Sequence, residues 1–265
     1  MNIKDYIQLY FHMVKYNIMA QMEYKINFFL SVLTEVGFLL AKSLYIIVVF
    51  SIGLSINGAS PDQILMFIGS YTIITGIMDS IYYPNLASIP GYIQNGELDI
   101  YLTKPVSCQF LCSFRKFDIG LGIPNVLAGV IMVVISWCRT ATPVSVVNIL
   151  GYLFFTLVGC VVTYPLLIIP TTLAFRLVRV DALQNIIFAL WDFNNMPMTI
   201  YHKSMQRVGV FLIPIFLITN FAPMFVFGLL PKTYIVYAIL GMPIFVAASV
   251  IVWNKAIRGY SSASS

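Results

Sequence analysis

The sequence predicts an all-α polytopic membrane protein with an interfacial N-terminal helix and six spans. Three observations lead there. Of 265 residues, 60% are hydrophobic and only 9% charged, whereas a soluble domain carries about 25% charged residues. So few charges cannot cover a water-facing surface. Apolar runs matching the roughly 20 residues that a bilayer-crossing helix needs recur along the chain. Lys and Arg gather in alternate gaps between those runs, as membrane topology requires. That distribution accounts for the net charge of +5 without nucleic acid as a partner.

The first 25 residues read as an amphipathic helix. Ile3, Ile7, Phe11, Val14, Ile18 and Met22 recur at three- and four-residue steps. Asp5, Gln8, His12, Lys15 and Asn17 fall mainly on other faces, a pattern suited to the membrane interface. Charges spread through the segment and no short apolar core precedes a small-residue cleavage site, unlike a signal peptide. Spans follow at 26–53, 63–83, 113–137 and 147–175, and the last at 233–254. Between these lie two interrupted apolar stretches. Residues 183–201 carry Asp192, Asn194, Asn195 and Pro197; residues 208–230 carry Pro214 and Pro223.

Orientation follows from the basic residues. A cytoplasmic N-terminus puts Lys4, Lys15, Lys25, Lys104, Arg115, Lys116, Arg176, Arg179, Lys255 and Arg258 inside. Only Arg139 and Lys232 then lie outside, so both termini are expected in the cytoplasm. Charge alone would also put Lys203 and Arg207 inside, making 208–230 the fifth span.

The stretch IPGYIQNGELDIYLTKPV, residues 89–106, then faces the cytoplasm between spans two and three. It holds Glu97, Asp99, Lys104, two prolines and two glycines. These break any long helix, but 92–102 can form a short one along the membrane surface. Read by itself, this is either a solvated loop or a docking element.

With its flanks the stretch resembles the cytoplasmic segment of bacterial permeases of type-2 ATP-binding-cassette exporters. The branch it is similar to carries I-x-x-G-x-L-D-x-x-L-x-K-P, here Ile93, Gly96, Leu98, Asp99, Leu102, Lys104 and Pro105. The tail, through Trp253, Arg258, Tyr260 and Ser262, and the stretch holding Pro197, Tyr201, Pro214 and Pro223 resemble the family as well. The resemblance implies one permease domain over 1–265, with 89–106 as a coupling helix that touches a separate ATPase. Glu97 and Asp99 would meet basic partner residues, and Tyr92, Leu98 and Tyr101 would fill a groove. It also implies a different fifth span, 183–200, followed by a re-entrant hairpin at 203–230 around Pro214 and Pro223. Lys203 and Arg207 would then lie outside. Two permeases, identical or related, would pair with two ATPase subunits in a bacterial inner membrane, exporting antimicrobial compounds or peptides.

No cofactor site is expected in this chain; ATP and Mg belong to the partner. The nearest imitation of a phosphate loop, Gly37 to Ser43, lacks the second glycine and sits inside a span. Neither a zinc-helix motif nor a nucleophile elbow occurs. His12 and His202 are far apart and near interfaces. Four cysteines show no metal spacing and no disulfide framework. No catalytic residue is expected.

Charges within spans are costly, about 2.5–3.5 kcal/mol each on insertion scales. Glu35 and Lys42 lie on one face of span one but two turns apart, which favours separate partners. Thr72, Thr75, Gly76 and Asp79 form a stripe on span two, with Tyr83 a turn on. Such a stripe either lines a pathway or lets helices pack closely. Asp192, Asn194 and Asn195 either line a central cavity or tie to the hairpin. Two further readings stay open: a transporter or channel driven by an ion gradient through Glu35, Asp79 and Asp192, and a non-transporting scaffold or immunity protein.

Overall fold

The computed structural model describes residues 2–52, 59–177, 185, 189 and 191–260. Five of its helices are long and apolar enough to cross a membrane, or six if one bent pair counts as a span. Of the expected fifth span at 183–200, residues 183, 184, 186–188 and 190 lie outside the described residues, as does Arg179, and 193–195 and 198–200 form short 3-10 turns.

Helix α1 (Ile3–Glu23) meets α2 (Lys25–Ile52) at Tyr24, whose φ of −94° and ψ of 60° interrupt the helical path. Helix α3 (Pro61–Ile81) opens on a capping box. The Ser60 hydroxyl accepts from the Gln63 backbone N–H at 3.3 Å, and Gln63 accepts from the Ser60 N–H at 2.9 Å. These bonds satisfy donors that a helix start otherwise leaves orphaned.

Between α3 and the next span lie four short helices: α4 (Tyr83–Leu86), α5 (Ile89–Gln94), α6 (Leu98–Leu102) and α7 (Cys108–Phe114). Span three is α8 (Ile119–Arg139), which starts six residues later than the apolar run predicts. The physical reason is Asp118, whose carboxylate accepts from the backbone N–H groups of Gly120 at 2.9 Å and Leu121 at 3.2 Å. The polar stretch Arg115–Asp118 thus ends one helix and starts another.

Span four is α9 (Val146–Thr171), capped by Ser145 and continued by a 3-10 turn to Phe175. Next, α10 (Lys203–Leu212) and α11 (Ile215–Val226) bend by 105° about Pro214, the geometry of a broken span or a re-entrant loop. The last span is α12 (Lys232–Ile257).

The core is built around α11. Phe216, Leu217, Ile218, Phe221 and Ala222 are at most 2% exposed. Twelve residues rise only about 18 Å, too short to cross a bilayer, so protein rather than lipid surrounds them. Neighbouring α9 makes room with Gly159, where a Cβ would lie 2.2 Å from the Ile218 carbonyl oxygen.

Spans two and three form the broadest helix contact. Gly69 and Gly76 of α3 meet Gly129 and Gly122 of α8, each pair seven residues apart. A Cβ on Gly76 would sit 2.8 Å from the Gly122 carbonyl oxygen, and one on Gly129 would sit 2.7 Å from that of Gly69. Absent side chains let the two backbones touch along two turns. At the far end Arg139 pairs with Asp62 at 2.9 Å.

Candidate functional site

The segment between spans two and three is folded tightly onto their ends. Asn85, 2% exposed, closes it. Its side-chain amide donates to the carbonyls of Ile81 at 2.8 Å and Lys116 at 2.7 Å, and its oxygen accepts from the Lys116 backbone N–H at 2.7 Å. The last turn of span two is thereby tied to the residues leading into span three. Lys116 adds a hydrogen bond to Ser88 at 2.8 Å and lies over the Tyr92 ring at 5.7 Å.

The stretch 89–106, expected to hold one short helix over 92–102, contains two helices broken at Gly96. The break follows from Gly96 itself, whose φ of 72° stops α5 in the left-handed form that glycine adopts without strain. Leu98 is fully buried and Tyr101 is 7% exposed. Tyr101 packs at a tilt against half-buried Tyr92, ring centres 5.1 Å apart, and accepts a hydrogen bond from Arg115 at 2.5 Å. Burial first, then Tyr92, pushes the Tyr101 phenol up to about 12, so it stays neutral at physiological pH.

Leu98 and Tyr101 are therefore turned inward and cannot fill a partner's groove. Packing of this loop against its own spans claims them. The outward face instead carries Ile100, 61% exposed, and Leu102, 45% exposed. Glu97, Lys104 and Pro105 are exposed around them, and Asp99 is half-buried. The apolar residues at 98, 100, 101 and 102 do not by themselves say which face turns in; only the fold does.

Helix α1 braces this assembly. Tyr6 accepts from the Ser107 backbone N–H at 3.1 Å and packs edge-on against Phe110. Asn17 donates to the Arg115 carbonyl at 2.8 Å, and Gln21 bonds both Phe117 and Ile119. Sequence reading placed Asn17 off the apolar face of an interfacial helix without a partner, and did not single out Tyr6 or Gln21; the four-residue step from Asn17 to Gln21 was the available signal. On α7, Cys108 and Cys112 lie 3.9 Å apart. Their contact lowers the Cys108 thiol pKa and, with burial, raises that of Cys112.

Within the spans, Glu35 accepts from Asn125 of span three at 2.5 Å. Lys42 donates to Thr72 at 3.2 Å and lies 4.9 Å from the Tyr71 ring centre. Asp79 is half-buried within electrostatic reach of both charges. Glu35, Lys42, Thr72 and Asp79 thus share one polar strip between spans one, two and three, with Thr75 half-buried on the same helix. Gly76 faces span three and is a packing residue. Asn125 was missed, although a lone amide in an apolar span is a readable signal.

The proposed fifth-span polar cluster divides. Asn194, 1% exposed, accepts from the Thr219 hydroxyl at 3.0 Å, and Asn220 accepts from the Met198 backbone N–H at 2.6 Å. Asn194 therefore ties to α11, the second arm of the bent pair. Asp192 is exposed, next to Trp191, whose ring packs 6.1 Å from that of Tyr71. The Asn195 side chain lies outside the described residues. Pro214 sits at the bend and Pro223 within α11. Among the described residues no group of three or more His, Cys, Asp or Glu could hold a metal ion.

Residues 36–264 match the model of a family described as ABC-2 family transporter protein. No curated protein and no solved structure matches the chain.

Proposed function

The chain belongs to the ABC-2 transporter family, and from that premise we propose that it is the permease of an ATP-driven exporter. Two permeases, identical or related, work with two ATPase subunits that hold the ATP and Mg, in a bacterial inner membrane. The observation that supports this most is the outward face of the segment between spans two and three. Ile100 and Leu102 stand exposed on a base that Asn85, Tyr101 and Leu98 fix to both spans. An apolar pair ringed by Glu97 and Lys104 suits a protein partner better than water.

The mechanism follows from stiffness. ATP binding closes the ATPases and displaces α5 and α6. Because Asn85 bolts the segment to span three, and glycine contacts hold span two against it, the two spans move together. That movement opens a path between the permeases. The bent pair α10–α11 dips into the outer half of the membrane as a re-entrant hairpin, with both termini cytoplasmic. Apolar cargo, antimicrobial compounds or peptides, leaves through the gap. Replacing Ile100 with Asp puts a charge at the centre of the contact. Affinity for the ATPase, titrated onto the purified permease, is expected to fall roughly 30-fold or more, as for a hot-spot loss of at least about 2 kcal/mol. An unchanged affinity removes α6 as the contact.

The charges inside the spans favour a second reading, transport driven by an ion gradient through Glu35, Asp79 and Asp192. Transport that persists without ATP and collapses with the proton gradient would replace the exporter reading.

A further inference from the structure

A groove of about 580 Å³ runs between α1, the inner end of span two and the short helix α7. Ile3, Tyr6, Ile7 and Phe11 form one wall, and Ile81 and Phe114 stand in the other. Its volume is that of a small-molecule site, but its lining is almost entirely carbon. The Tyr6 hydroxyl is already taken by the Ser107 backbone N–H. A polar ligand would lose its hydrogen bonds to water there and regain few.

We propose that this groove holds an acyl chain of an anionic membrane phospholipid. Helix α1 has no buried residue along its 21 positions, and Ile3, Ile7 and Phe11 are 81%, 52% and 64% exposed. Their stripe needs an apolar phase, and the helix character fits the membrane interface. The same three residues line the groove, so the groove opens toward that phase rather than toward the cytoplasm.

The charge comes from the same helix. Lys4 precedes Ile7 by three residues and Phe11 by seven, and Lys15 follows Phe11 by four. At 3.6 residues per turn, Lys4 and Lys15 lie within about 40° of Phe11, along one border of the apolar stripe. Both lysines are exposed. They flank the apolar stripe where headgroups would lie, and basic residues at that depth attract anionic lipid. A neutral lipid would satisfy the groove but not the lysines. This inference rests on the membrane location alone and not on export, so it can fail without affecting the permease reading.

The test is native mass spectrometry of the full chain, purified in mild detergent and offered equal parts of phosphatidylglycerol and phosphatidylcholine. Wild type is expected to keep one phosphatidylglycerol per chain. Ile7→Trp fills the groove and lowers that retention roughly tenfold. Leu44→Trp, on the exposed side of span one, leaves it unchanged. Lys4→Gln with Lys15→Gln keeps a lipid but loses the preference for phosphatidylglycerol. Thermal unfolding of each variant reports whether it is folded; if Ile7→Trp is not, Ile3→Trp at the same wall takes its place. Equal retention by the filled variant and wild type overturns the proposal. So does equal retention of the two lipids by wild type, or a bound apolar compound that is not a phospholipid.

Discussion

Gly129→Val is expected to lower the thermal midpoint of the purified protein by about 5–10 °C, taking the cost of overpacking at about 3 kcal/mol. A Cβ at Gly129 would lie 2.7 Å from the Gly69 carbonyl oxygen and 2.8 Å from the Ile73 backbone nitrogen. Those are backbone atoms of span two, so no rotamer change relieves the clash. The two spans must separate, and Gly76 against Gly122 must part with them. Gly37→Val is the control, because nothing lies within 4 Å of the Cβ it would carry. Its midpoint is expected to stay within about 2 °C, the range of an ordinary surface change. Differential scanning fluorimetry in detergent distinguishes the two. If both variants unfold alike, close packing of these backbones is not what holds spans two and three together.

Asn85→Ala is expected to uncouple the cytoplasmic segment without unfolding the spans. It removes three hydrogen bonds and leaves the Lys116 N–H without its partner. An unmade buried bond costs about 1–3 kcal/mol, so hydrogen exchange at the Lys116 amide should quicken roughly tenfold or more. Cargo transport per ATP hydrolysed should fall, while ATPase binding through Ile100 and Leu102 persists. Asn85→Asp keeps the acceptor for the Lys116 N–H and loses the donors, and should fall between. Exchange at Lys116 that matches wild type in Asn85→Ala would show that the segment is held by other contacts.

Much of the architecture was legible because lipid imposes a length and an apolar character on each span. The last span, read as 233–254, is Lys232–Ile257; the second, read as 63–83, is Pro61–Ile81. Span three was read from residue 113, six residues early, because Phe114 and Phe117 lead into the apolar run with no break that hydropathy registers. What starts the span at Ile119 is the capping carboxylate of Asp118, a local bond that hydropathy does not weigh. The stretch 89–106 was legible as a polar segment between spans two and three but not as a surface. Leu98 and Ile100 are both apolar and two residues apart, and only the fold buries Leu98 in the core and leaves Ile100 exposed. Separate partners for Glu35 and Lys42 were readable from two turns of spacing. The partner Asn125 comes from span three, and only the fold brings it there. The bend at Pro214 was signalled by the proline, whereas the burial of α11 required knowing that α9 offers Gly159.

The measurement that tests the central claim most directly is purification of the tagged chain from its native membrane in mild detergent, with mass spectrometry of what accompanies it. The permease reading predicts an ATP-binding-cassette ATPase at abundance comparable to the chain, crosslinked through position 100. A related permease beside it would mark a heterodimer, and its absence a homodimer. If no ATPase accompanies the chain and crosslinking from residues 92–104 captures none, the exporter reading is contradicted, and Glu35, Asp79 and Asp192 become the place to look for an ion.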